Sequence, residues 1–173
     1  MNKTILSELL QTKTNFLASI SRFQQEEFNR IPFEGSWTAA QVTEHILKSV
    51  SGALEVIKGP VQPANRNSHE KVDWIRNLFL DFGTKMISPE FVFPSSAPAD
   101  KDIRYAALEK TFDKIEFMIG STDLDPVCMA FEFPNAGLLT RTEWIWFAIY
   151  HTQRHNRQLD NIYAILKERE HAH

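Results

Sequence analysis

Residues 3–29 place Ile5, Leu6, Leu9, Leu10, Phe16, Leu17, Ile20 and Phe23 at mostly three- and four-residue intervals. That spacing lays one apolar stripe along a helix and predicts a first helix. It ends near Ile31-Pro32, because proline disfavours helical geometry in the residue before it. Thr38, with Gln41 three positions on, has the form of a capping box, and predicts a second helix running to about Lys58 and stopped by Gly59-Pro60. A third helix is predicted over about Asp102 to Ile119, with Tyr105, Leu108, Phe112, Ile115 and Ile119 on one stripe and Gly120 closing it. Thr140 and Glu143 repeat the capping-box pattern and open a long fourth helix to about Glu168. Its inward stripe reads Trp144, Phe147, Ala148, His151, His155, Leu159, Ile162 and Leu166.

Between the second and third helices, Pro60, Pro63, Pro89, Pro94 and Pro98 break the pattern, although His69 to Phe82 reads as a short helix. The stretch is long enough to carry the chain to the far end of a bundle, so the two flanking helices are expected to run parallel. The residues around Pro126 and Phe133-Pro134-Asn135-Ala136-Gly137 are expected to form a loop. Strand signals are weak and there is no internal repeat, so the expected fold class is all-α, a four-helix bundle with a long crossover between helices 2 and 3.

With 173 residues, the chain is sized for one domain over 1–173 and one core. Hydrophobic residues at 43% and charged residues at 24% exclude a disordered or fibrous chain. A net charge of -3 gives no broad attraction for phosphate backbones or anionic lipid, so neither nucleic acid nor membrane is an expected partner. The apolar run from Trp144 to Tyr150 is too short to span a bilayer. A lone cysteine, Cys128, in place of a disulfide framework points to a cytoplasmic location.

His151 and His155 are four residues apart within the apolar stripe of the fourth helix, so their rings project from one face about a turn apart. His45 lies within the stripe of the second helix, beside Val42, Ile46, Ser49 and Ala53. Taken singly, each is accounted for as a core histidine satisfied by a neighbouring hydroxyl or carbonyl. Three core-facing imidazoles together admit a second reading, a divalent metal bound with at least one open position, as in catalytic sites. Zinc, nickel, manganese and iron all remain open for such a set.

The segment Trp37-Thr38-Ala39-Ala40-Gln41-Val42-Thr43-Glu44-His45-Ile46 resembles the first motif of the DinB superfamily, a Trp-Ser/Thr start followed by a helix carrying one histidine. The segment Phe133 to Thr140, then Glu143-Trp144 and His151-Thr152-Gln153-Arg154-His155-Asn156-Arg157-Gln158, resembles the second. The resemblance implies up-down-down-up connectivity, a metal held by His45, His151 and His155, and a homodimer. It also implies a small-molecule substrate. Characterised members of that superfamily include thiol S-transferases that use bacillithiol and a mycothiol-dependent isomerase, and others are described as metal-dependent hydrolases.

The expected function is therefore metal-dependent catalysis, with S-transfer from a low-molecular-weight thiol first, hydrolysis as the alternative, and a non-catalytic metal-binding stress protein as the third reading. No catalytic residue stands out beyond the metal set. Gln158, near the face of His155, and Glu44, beside His45, are the candidates, the former reading equally as a buried polar cap and the latter more readily as a solvated surface glutamate. Arg154 and Arg157 are candidates for binding an anionic substrate or thiol cofactor. Trp37 is expected to pack near the site and Cys128 to fill core space, while His69 lacks a partner at ligand spacing and His171 and His173 fall in a charged tail.

Overall fold

The computed structural model describes residues 2–172; His173 lies outside them. The order of elements is α1 (Asn2–Ser21), α2 (Gln25–Phe28), α3 (Ala39–Lys58), β1 (Val61–Gln62), α4 (Val72–Leu80), a 3-10 turn (Glu90–Val92), α5 (Lys101–Ser121), β2 (Val127–Phe133), β3 (Gly137–Thr140) and α6 (Arg141–His171). The architecture is mainly helical with one small antiparallel sheet. Among the described residues no helix is long and apolar enough to cross a membrane.

Both predicted capping boxes form. Thr38 Oγ1 accepts from Gln41 N at 3.1 Å while Gln41 Oε1 accepts from Thr38 N at 3.0 Å. At the start of α6, Thr140 Oγ1 accepts from Glu143 N at 3.1 Å and Glu143 Oε2 accepts from Thr140 N at 2.9 Å. Each pair satisfies amide groups that a helix start otherwise leaves free. The first predicted helix divides in two. A capping box at Gln24 and Glu27 restarts the chain as α2, and the break lets Phe23 and Phe28 both bury fully, edge to face.

α1 and α3 each pack against both α5 and α6, and α4 packs along α6. Every residue of α6 from Thr142 to Thr152 is buried, so this helix is apolar on all sides where its neighbours meet. Arg141 Nε donates to the Ile57 carbonyl at 2.9 Å, while His45 and His151 meet near the other end of α3. The first half of α6 therefore runs antiparallel to α3.

The sheet departs from the expectation of a loop. β2 pairs with β1 on one side and β3 on the other, both antiparallel, and the β2–β3 hairpin turns through Asn135 at φ 62 and Gly137 at φ 68. Left-handed backbone at a turn suits Asn and Gly. β2 carries Phe131 and Phe133, which pack with Trp144 of α6.

A buried carboxylate ties the crossover to this end of the molecule. Glu143 has no exposed surface, and Arg66 grips it with both terminal nitrogens at 2.6 and 2.7 Å. Lys71 N adds a bond at 2.8 Å beyond that from Thr140. Burial pushes the Glu143 pKa up, but Arg66 and the two backbone amides outweigh it and hold the carboxyl below its usual value. Glu143→Gln removes the charge that Arg66 and the amides were built around. It is expected to lower stability by about 3 kcal/mol, in the range for breaking one partner of a buried pair. Urea denaturation checks this, and a loss below about 1 kcal/mol would mean that Glu143 is replaceable packing.

Candidate metal centre

His45 sits two turns into α3, and His151 and His155 stand one turn apart on α6. Antiparallel packing of the two helices brings the three rings together. His45 Nε2 is 3.0 Å from His151 Nε2, and His155 Nε2 is 3.1 Å from the same atom. One ligand atom from each residue lies within 4.8 Å of the other two.

Protons on these rings are fixed by what surrounds them. The Nδ1–H of His45 donates to the Val92 carbonyl at 2.9 Å, an oxygen that can only accept. The Nδ1–H of His155 donates to Gln158 Oε1 at 2.7 Å. In a neutral ring the other nitrogen is then a bare lone pair, so His45 and His155 both aim lone pairs at His151 Nε2. A hydrogen on that atom could serve one of them and not both. A cation among the three nitrogens satisfies all of them, and the separations suit ligand distances of about 2.0–2.1 Å. The remaining nitrogen of His151, Nδ1, is buried with no partner, and its ring stacks on Phe147 at 5.2 Å and meets Phe79 at 5.1 Å, the three rings forming one cluster. These three histidines could hold a divalent metal ion.

Burial keeps the imidazoles neutral, the form that ligates. His151 is held well below its ordinary pKa by burial, then by the neighbouring His155 and His45. His155 is pushed down to about 3, first by burial and then by His45, against the opposing bond from Gln158. His45 is lowered by burial, with the Val92 carbonyl opposing. Among the other sequence candidates, Gln158 touches the ring of His155 directly. Glu44 turns away, pairing with Lys48 at 3.1 Å and Arg104 at 3.6 Å. Arg154 donates to the carbonyls of Phe79, Asp81 and Thr84, so it fastens the end of α4 and the turn after it. Arg157 lies over the Phe82 ring at 4.5 Å. Trp37 packs 5.2 Å from the His45 ring. Cys128 is buried and its thiol is pushed up to about 11 by burial, which keeps it protonated and inert. His69 contacts Ser68 and His171 bonds the Lys167 carbonyl, both away from the triad.

The triad opens onto a cleft of about 1300 Å³. Its walls come from α3, α6, the end of α4, the crossover around residues 82–93 and the β2–β3 hairpin. Sequence reasoning missed the Val92 carbonyl and the hairpin aromatics. A backbone acceptor leaves no mark in sequence, whereas the run Val127–Phe133 between Pro126 and Pro134 carried a weak strand signal in Val127, Phe131 and Phe133.

In metal-free protein the three depressed histidines bind fewer protons folded than unfolded. Stability is then fully present above the unfolded value near 6.5 and declines as pH falls toward the folded value, about 3 for His155. Each histidine contributes up to about 1.4 kcal/mol per pH unit in that window. Carboxylates take up protons mainly below about pH 4.5, so the interval above it isolates the imidazoles. Urea midpoints from pH 7.5 to 5 should fall steadily for the chain as it stands and less steeply for His151→Gln, and equal slopes would contradict the burial described.

The family described as the DinB superfamily matches residues 8–159. No curated protein and no solved structure matches the chain.

Proposed function

The chain belongs to the DinB superfamily, and on that premise we propose a metal-dependent enzyme whose nucleophile is the thiol of a low-molecular-weight cofactor, transferred to a small electrophilic substrate. The observation that carries this reading is the convergence of three neutral imidazole Nε2 atoms at one wall of an open cleft. A divalent ion there supplies Lewis acidity, which brings a thiol or a water molecule to its anionic form near neutral pH.

His45, His151 and His155 would hold that ion through Nε2, and a set of three protein ligands would leave at least one position for a thiol or water. Val92 and Gln158 fix the ring orientations through Nδ1, the role that outer partners of ligating histidines usually have. Phe79 and Phe147 pack against each other and against His151, and so help to keep bulk water from its ring. α1, α3, α5 and α6 are taken as the four-helix bundle of the superfamily, in up-down-down-up order, with α4 and the crossover forming the cap over the cleft.

Among the described residues no aspartate or glutamate lines the cleft. Hydrolysis usually draws on such a group as general base, whereas a thiol needs one deprotonation and is then intrinsically nucleophilic. That composition favours the thiol over water, in line with what the superfamily resemblance implies.

Protein purified without chelator is expected to carry about one divalent ion per chain, and His151→Ala/His155→Ala very little, by elemental mass spectrometry. Metal in neither, after incubation with zinc, nickel and manganese, would overturn the metal centre. Cobalt-substituted protein separates the two nucleophiles. A sulfur-to-cobalt charge-transfer band on adding a small thiol is the expected result, and an unchanged spectrum would favour the hydrolytic alternative.

A further inference from the structure

The cleft is chemically divided along the axis of α6. Toward the sheet, α6 contributes Trp144 and Phe147, and α3 contributes Ser49, Gly52, Ala53 and Val56. Every one of these is uncharged. Phe131 and Phe133 close that end from β2. From Trp144 to His155 the chamber follows about 16 Å of helix. Gly52 has nothing within 4 Å of where a Cβ would be. Glycine inside a helix costs about 0.5–1 kcal/mol relative to alanine, so packing does not demand it here, and its effect is to leave width in the chamber.

At and beyond the level of the histidines, the lining changes. Lys48, Lys85, Arg154 and Arg157 all contribute to it, with Gln158 and Asn161. Two of these cations are already engaged. Lys48 is paired with Glu44 and bonded to the Phe93 carbonyl, and Arg154 is spent on three carbonyls. Lys85 and Arg157 have no ion-pair partner among the described residues. A cleft of about 1300 Å³ also exceeds the roughly 300–1,000 Å³ of an ordinary small-molecule pocket, which leaves room for a body that runs the length of the chamber.

We propose that the cleft takes an elongated organic anion, with an uncharged alkyl or aryl body in the chamber between α3, α6 and β2 and its negative group at Lys85 and Arg157. This rests on reading the cleft as the substrate site. It does not depend on which ion the histidines hold. Lys85 and Arg157 are then specificity-determining residues, and Gly52 sets how wide a body the chamber admits.

The test uses metal-free protein, so that direct ligation of the anion contributes nothing. Quenching of Trp37 and Trp144, which line the cleft, reads out binding of three probes of equal chain length: decanoate, decan-1-ol and decylamine. Decanoate is expected to bind about tenfold tighter than the alcohol, as two exposed charges acting together allow, with the amine weakest. Lys85→Gln/Arg157→Gln should bring decanoate to the affinity of the alcohol and leave the alcohol unchanged. Gly52→Phe should weaken all three. Equal affinities in the unaltered protein, preference for the amine, absence of binding, or a double variant that keeps the full preference would each overturn the proposal. A protein that binds no metal yet prefers decanoate leaves the proposal standing and removes the metal centre. One that binds metal and shows no preference does the reverse.

Discussion

A carboxylate sealed inside a protein must find enough donors to replace water, and Glu143 finds four: two from Arg66, one from Lys71 and one from Thr140. That requirement organises the site end of the molecule. Arg66 and Lys71 belong to the crossover, Thr140 closes β3, and Glu143 itself lies in the first turn of α6. One buried charge thus fixes where the crossover departs, where the hairpin ends and where the longest helix begins. α4 and the segment after it, which form a wall of the cleft, start from this anchor, and Arg154 fastens their far end through three carbonyls. The wall is held at both ends by charged side chains whose partners are backbone or buried.

The histidine geometry needs this frame and adds little of its own. Spacing of four on α6 makes His151 and His155 neighbours in any helix. Bringing His45 to them takes the antiparallel packing of α3 on α6, anchored by Arg141 on the Ile57 carbonyl at one end. Orientation then comes from single acceptors, one on the crossover backbone and one a turn along the same helix.

How much of this could be read from the chain follows from the kind of interaction involved. The starts of α3 and α6 were legible because capping boxes are made of side chains at fixed spacing, Thr38 with Gln41 and Thr140 with Glu143. The stripes of α3, α5 and α6 were legible because burial repeats with the helix. The restart at Gln24 was hidden, since a glutamine at the cap lacks the usual signature even though Glu27 completes the box. β1 has two residues and exists only as a partner for β2, so no local pattern announces it. All three histidines were singled out from their stripes. The Val92 carbonyl that orients one of them was beyond reach, because any residue at position 92 offers that oxygen. Gln158 was noticed for its distance from His155, and at the cleft wall the atom it meets is the ring's outer nitrogen, Nδ1. Arg154 pointed to an anion from sequence, and in the fold its hydrogen bonds go to its own chain.

The 3-10 turn Glu90–Val92 has two faces with different duties. One gives the carbonyl that aims His45, and Phe91, Val92 and Phe93 together line the cleft. A compound in the cleft would meet Val92, whose carbonyl sets the lone-pair direction of His45, and its two neighbours. Occupancy of the cleft and affinity for an ion held by the three histidines would then be two ends of one thermodynamic linkage. A compound that moved the turn would alter how tightly such an ion was held, and the ion would alter the affinity for that compound by the same factor.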